Sequence, residues 1–227
     1  MDIKGLVKRM REEFLNDTEG STEDDYRWKT ANLVAALSAS QRELSKAPLF
    51  LISDTSSSIC QITVALVEGI YPRSYAIDER VLRIERLRFP GVVKPLTSAT
   101  VEQLDAEEPG WDDRKGTPSR YTVDFETGLL TFNRQPLSGG VVSMSVKRLP
   151  LLNFSDTKLD ASPEIKQRDD ELIHGALKYA YLKDDKLTYD PSRASAWAAI
   201  FEKDKTQIRQ DQAAYNPQIL VMRPERF

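Results

Sequence analysis

The sequence predicts an α+β fold: a four-helix bundle formed by the N- and C-terminal helices, an inserted antiparallel β module, and an extended C-terminal arm. Three observations predict it. Apolar residues recur at helical spacing in 26–48 and again after 163. They alternate at strand spacing between 121 and 146. Prolines and glycines mark the switches from one period to the other. The divisions that follow are 1–48 for the first half of the bundle, 49–162 for the β-rich insertion, 163–211 for the second half and 212–227 for the arm.

Residues 2–16 carry Ile3, Leu6, Val7, Met10 and Phe14 on one face of a short amphipathic helix. The turn-rich, acidic stretch NDTEGSTEDD leads to the helix expected over 26–48. Its seam is Leu33, Leu37, Ser40, Leu44 and Ala47, the pattern of a helix packed on other helices. Glu23, Asp24 and Asp25 stand before it, where the helix dipole favours negative charge, and Pro48 stops it.

The β module starts with a strand expected over 59–67, with Cys60, Ile62, Val64 and Leu66 on one side. Gly69 and Pro72 punctuate the path to Tyr75. The stretch RVLRIERLRF at 80–89 alternates imperfectly and is open to either strand or helix. Residues 91–118 read as a long loop with a short helix near 98–105. Tyr121, Val123 and Phe125 then alternate, Glu126-Thr127-Gly128 turns the chain, and Leu130 and Phe132 alternate in turn. Val142, Met144 and Val146 form the last strand.

Helices return at Ser162-Pro163-Glu164, which reads as a hydroxyl cap, a first-turn proline and an acid. Ile165, Leu172, Ala176, Tyr179 and Ala180 lie on the apolar face that follows. Asp190-Pro191 repeats the start signal for a helix burying Ala194, Trp197, Phe201 and Ile208. Residues 212–227, QAAYNPQILVMRPERF, hold large apolar side chains without helical or strand period. Such a tail is too apolar for ordinary disorder and fits an arm lying on another surface.

The chain has 227 residues and a net charge of −3, enough length to bury a core and too little positive charge for a stand-alone nucleic-acid binder. A single cysteine, Cys60, excludes an intrachain disulfide and fits a reducing compartment. The N-terminus is too charged for a signal peptide and no stretch approaches 18 apolar residues, so no membrane partner is expected. With one histidine, His174, a zinc site and a nucleophilic triad both lack their parts, and no phosphate-binding glycine motif occurs. No metal, cofactor or catalytic residue is therefore assigned. His174 falls on the polar face of its helix with Gln167, Asp170, Glu171, Lys178 and Tyr181, the place of a solvated or interface histidine. The acids Glu107, Glu108, Asp112 and Asp113, and Asp169, Asp170 and Glu171, read as solvated surface, although paired acids across a cleft are what a glycan hydrolase needs. Two basic groups, Lys8, Arg9 and Arg11, and Arg80, Arg83, Arg86 and Arg88, could face phosphates or be balanced by neighbouring acids.

Taken in order, several fragments resemble the head-to-tail adaptor (connector) proteins of short-tailed bacteriophages. They are GLVKRMREEFLND, WKTANLVAALSASQREL, VALVEGIYPRSYAID, GTPSRYTVDFETGLLTFNRQPL, RLPLL, ASPEIKQRDDELIHGALKYAYLKDD and DPSRASAWAAIFEKD. Ser38-Ala39-Ser40-Gln41 departs from the pattern, which has an asparagine there, and puts one polar helix–helix contact in question. The resemblance implies a non-enzymatic virion protein at the head–tail junction, made in the host cytoplasm. It implies binding beneath the portal protein's ring and extension of the DNA channel toward the tail nozzle or other tail proteins, with genomic DNA passing non-specifically. It further implies a cyclic homo-oligomer of about twelve copies joined through heterologous faces. On that reading Tyr215, Ile219, Leu220, Met222 and Phe227 of the arm supply contact area to the portal, and Arg223 and Arg226 pair with its acids. Arg80, Arg83, Arg86 and Arg88 become channel-facing or interface residues. The alternatives are a tail or neck protein that binds only other tail components, and a cell-wall glycan hydrolase using Glu108 or Glu171.

Overall fold

A computed structural model of the chain describes residues 1–17, 22, 25–183 and 188–215. Among them are five α-helices and two sheets, an α+β fold. The chain separates into a helical unit, residues 1–51 and 150–227, and a β unit, residues 52–149.

In the helical unit, α1 (Ile3–Arg9) starts at Asp2, whose carboxylate accepts the Gly5 N–H at 2.8 Å. A π-helical turn, Met10–Leu15, continues it and closes at the left-handed Asn16. Ile3, Leu6, Val7 and Met10 are buried as their spacing predicts. Helix α2 spans Thr30–Ser45, shorter at both ends than the 26–48 expected. Residues before it are held by side chains instead of helical bonds. The Asp17 carboxylate accepts the N–H groups of Arg27 (3.1 Å) and Trp28 (2.8 Å), and Arg11 donates to the Trp28 carbonyl at 2.6 Å. Leu33, Leu37, Ser40 and Leu44 form the buried seam, whereas Ala47 lies beyond the helix end and is exposed.

Helix α4 spans Asp169–Tyr181 and begins well after the Ser162-Pro163-Glu164 signal. Glu164 has a different use. Its N–H donates to Gln41 Oε1 at 2.8 Å, its carboxylate accepts the Leu151 N–H at 2.7 Å, and the left-handed Gln167 (φ 62°) then breaks any helical path. Helix α5 spans Pro191–Tyr215, with the Arg193 N–H on Asp190 Oδ1 at 3.0 Å. It thus runs four residues into the segment expected to be non-helical, and Gln212 donates to the Leu49 carbonyl at 2.9 Å. The helices α2, α4 and α5 converge at Gly175, where a Cβ would meet Ser40 Oγ at 2.2 Å and Phe201 Cζ at 2.7 Å. Residues 150–162 belong to this unit through backbone bonds: Ile3 N–H to Ala161 O and Lys4 N–H to Leu159 O, both 2.9 Å, and Phe154 N–H to Ser38 Oγ at 2.8 Å.

The β unit is two four-stranded sheets. In the first, β8 (Gly140–Arg148) is central. It pairs along one edge with β1 (Ser53–Asp54) and β2 (Gln61–Val64), and along the other with β4 (Val81–Arg88), all antiparallel. The second sheet has the order β3 (Ser74–Ala76), β7 (Leu129–Phe132), β6 (Arg120–Asp124), β5 (Thr97–Ser98), with β5 parallel to β6. Both sheets contribute to one core of Ile62, Val64, Val81, Leu87, Phe89, Tyr121, Leu130, Phe132, Val142, Met144 and Val146.

The ambiguity at 80–89 has a structural cause. The β4 register shifts between Val81 and Arg83 and again between Ile84 and Arg86. Each bulge adds a residue, so the inward side chains Val81, Ile84 and Leu87 fall every third position, a spacing that imitates a helix. Residues 91–118 are not structureless. They hold β5, a 3₁₀ turn at Trp111–Asp113 and helix α3 (Val101–Glu107), started by a capping box between Thr100 and Gln103. The strand expected over 59–67 shortens to β2, and Leu66 is exposed. Glu68 and Gly69, both at positive φ, turn the chain there so that Val67 bridges Ile70. Phe125 does not point inward. It sits in the β6–β7 turn, 52% exposed, where Asp124 accepts from the Glu126 and Thr127 N–H groups.

Candidate interaction surfaces

The four arginines between 80 and 88 separate into two kinds. Arg80 closes on Asp78 in a two-pronged pair, Nε to Oδ1 at 2.8 Å and Nη2 to Oδ2 at 2.6 Å, and that pair holds the Asp78 carboxyl below its usual range. Arg83, Arg86 and Arg88 instead leave the outward face of the first sheet and are exposed. None has an acid within ion-pair distance among the described residues. Register places Lys147 of β8 opposite Arg83, and Ser145 and Ser143 opposite Arg86 and Arg88. Lys147 itself meets Ser53 Oγ at 2.6 Å and Glu85 at 3.7 Å. Sequence reading missed Lys147. The outward alternation Ser143, Ser145, Lys147 along β8 is the signal that would have found it.

The acidic residues are similarly divided. Glu107 pairs with Arg120, and Glu108 lies 3.8 Å from Arg120 and accepts from Asn133 Nδ2 at 3.1 Å. Asn133, fully buried, accepts the N–H groups of Ser119 (3.1 Å) and Arg120 (3.0 Å) on its other end. These bonds tie the end of α3 to the second sheet. Asp112 and Asp113 remain exposed, with no cation at ion-pair distance among the described residues. Glu171, on α4, is bonded by Arg168 at 2.8 Å.

The N-terminal cations Lys8, Arg9 and Arg11 are all paired or packed within the helical unit. Arg9 bridges Glu13 and Asp170 at 2.8 and 2.6 Å, Lys8 meets Glu12 at 3.7 Å, and Arg11 is buried beneath the Tyr26 ring at 3.7 Å. His174 is packed, not solvated. Its ring stacks on Trp197 (centroids 5.5 Å), meets the Phe14 edge at 6.0 Å, and its Nδ1 lies 2.8 Å from Asp204 Oδ2. Tyr181, expected on the same polar face, is buried edge-on against Trp28 at 5.0 Å. At the α2–α4–α5 junction Glu43 accepts from Lys178 (3.0 Å), Lys205 (2.7 Å) and Tyr179 (2.5 Å). Burial by itself would raise its pKa, but the hydrogen bonds from Lys205, Tyr179 and Lys178 outweigh that and hold it at about 2. Tyr179 moves the opposite way, pushed up by burial and by the carboxylate it serves.

Of the expected arm, Tyr215 ends α5, while Ile219, Leu220, Met222, Arg223, Arg226 and Phe227 lie outside the described residues. Among its residues of described burial, helix α5 buries Ala194, Phe201 and Ile208, spaced seven apart, and the others are half-buried or exposed. Among the described residues no cluster of three or more His, Cys, Asp or Glu is placed to hold a metal ion, and no helix is long and apolar enough to cross a membrane. Cys60 is buried, and that burial raises its thiol pKa.

The described residues thus present a basic sheet face, an acidic turn, and a long helix with few buried positions. No curated protein matches the chain. The model of the SU10 adaptor protein family matches residues 1–222, nearly the whole sequence, and the chain belongs to that family of bacteriophage adaptor proteins.

Proposed function

We propose that this structural phage adaptor binds the portal ring through residues 216–227 and carries the DNA channel on toward the tail, as a ring of about twelve copies. The family match over residues 1–222 is the observation that carries this reading. Two features of the chain support it. Helix α5, about 37 Å long at 1.5 Å per residue, packs within the helical unit and ends at Tyr215, and the segment NPQILVMRPERF follows it in sequence. That segment combines Ile219, Leu220, Met222 and Phe227 with Arg223 and Arg226, apolar area beside two cations. Ordering it on a partner costs conformational entropy that burial of the four large side chains offsets.

On this reading the helices of the N- and C-terminal ends, packed as a four-helix bundle, form the stiff wall of the ring, and the β unit presents its turns to tail components such as the nozzle. Genomic DNA passes non-specifically, and Arg83, Arg86 and Arg88 face either that DNA or a neighbouring copy. A subunit of net charge −3 suits a conduit, since a wall that held phosphate tightly would slow ejection.

Deletion of residues 216–227 spares every described helix. The truncated chain is expected to stay folded and soluble yet fail to attach to portal rings in a pull-down. Normal attachment of the truncated chain would refute the assignment. Attachment only to tail proteins by the full chain would favour a tail or neck role instead.

A further inference from the structure

The outward face of the first sheet carries three arginines without an ion pair, whereas its Lys147 is paired with Glu85 at 3.7 Å. Arg83, Arg86 and Arg88 are exposed without an acid at ion-pair distance among the described residues, and Arg83 stands directly across from Lys147. Like charges opposed across a ladder are destabilising. Packing does not ask for them, because the inward positions Val81 and Leu87 carry the burial and the outward neighbours on β8 are serines. An arginine row also discourages promiscuous edge-to-edge pairing at β4. Three unpaired arginines on one face are a surface that suits an anionic partner.

The same unit holds a fitting counterpart in the turn after α3. Glu107 and Glu108 tie the end of α3 to Arg120 and Asn133 of the second sheet, which leaves Asp112 and Asp113 exposed in the turn beyond. Within one chain these aspartates do not meet the arginines.

We propose that Arg83, Arg86 and Arg88 of one copy bind Asp112 and Asp113 of a second copy. The two patches differ, one on β4 and the other in the turn at Trp111–Asp113, so the contact is heterologous: each copy keeps one unsatisfied patch of each sign, and the contact repeats until the rotation closes. This gives the ring a named contact and rests on the ring reading for closure alone. The attraction between exposed charges is weak per pair and screened beyond about 8–10 Å at physiological salt, so it registers the copies more than it binds them.

The test uses the full chain and two charge reversals, R83E/R86E/R88E and D112R/D113R, each checked for an unchanged circular dichroism spectrum. Self-association is followed by light scattering and sedimentation at millimolar protein in low salt. Wild type is expected to associate weakly, each variant at least about tenfold less, and high salt to erase the difference. Mixing the two variants is the decisive arm. In an alternating pair every contact is again opposite in sign, so association is expected to return. Wild type without measurable attraction, a variant that associates like wild type, or a mixture no better than its components would each overturn the proposal. Loss of binding to a short DNA duplex by the arginine variant, with self-association intact, would also overturn it and assign the face to phosphates. None of these measurements involves portal rings, so a failure here is distinguishable from a failure of the portal-binding assignment, which the deletion of 216–227 tests by itself.

Discussion

Gly175 is the most demanding position in the helical unit, and replacing it tests the packing directly. A Cβ there would lie 2.2 Å from Ser40 Oγ and 2.7 and 2.8 Å from two Phe201 ring carbons, well inside contact distance. Gly175→Ala inside a helix would ordinarily stabilise by about 1 kcal/mol through propensity. Overpacking a closed core costs about 1–3 kcal/mol, so the net expectation is a loss of up to about 2 kcal/mol. Ser40 Oγ offers the relief. It is buried and has no hydrogen-bond partner, so Ser40→Ala removes an unsatisfied hydroxyl and is expected to be neutral or stabilising by about 1 kcal/mol. In Gly175→Ala/Ser40→Ala the nearest clash disappears and much of the loss should be recovered, a coupling that separate sites would not show. Urea unfolding followed by helical circular dichroism at 222 nm measures all three variants. If Gly175→Ala raised the midpoint, or if the double variant were merely the sum of the singles, the convergence of α2, α4 and α5 at this glycine would be wrong.

Further expectations concern charge. Glu43 has its carboxyl lowered from 4.5 to about 2, so the stability it confers is full above pH 4.5 and is lost as pH falls toward 2; Glu43→Gln should flatten the acid limb of the stability–pH curve in that window. Arg148 and Asp54, 2.6 Å apart and both buried, should each cost about 3–5 kcal/mol when changed alone to alanine, since the other charge is left uncompensated. The double change should cost less than the sum, as a denaturation series would show. Asn133→Ala strands the Ser119 and Arg120 N–H groups and removes one donor from Glu108, and a loss of about 2–3 kcal/mol with faster hydrogen exchange at those amides is expected.

Much of the architecture follows from the period of the apolar residues alone. Leu33, Leu37, Ser40 and Leu44, the β7 pair Leu130 and Phe132, the β8 trio Val142, Met144 and Val146, and the α5 residues Ala194, Phe201 and Ile208 are buried because burial selects one face, and a face is a spacing. Asp190-Pro191 likewise states a helix start in local chemistry, and the structure uses it. The order of the same fragments carried the adaptor family.

Tertiary contacts decided whatever had a second claimant. Ser162-Pro163-Glu164 has the composition of a helix start, but Gln41 and the Leu151 amide take Glu164 first, and α4 waits for Asp169. Trp28 fits a helix, yet Asp17 and Arg11 hold its backbone outside one. The β4 bulges gave a strand the spacing of a helix, which only its partner strand β8 resolves. His174 shares a helical face with polar residues, but that face meets Trp197 and Phe14. The surfaces were the least legible. A sequence shows Arg80, Arg83, Arg86 and Arg88 as one group, and only a near neighbour such as Asp78, or its absence, tells a neutralised charge from one open to a partner. Periodicity records what is buried; which exposed charges remain unmatched depends on distances between residues far apart in the chain, and those exist only once it has folded.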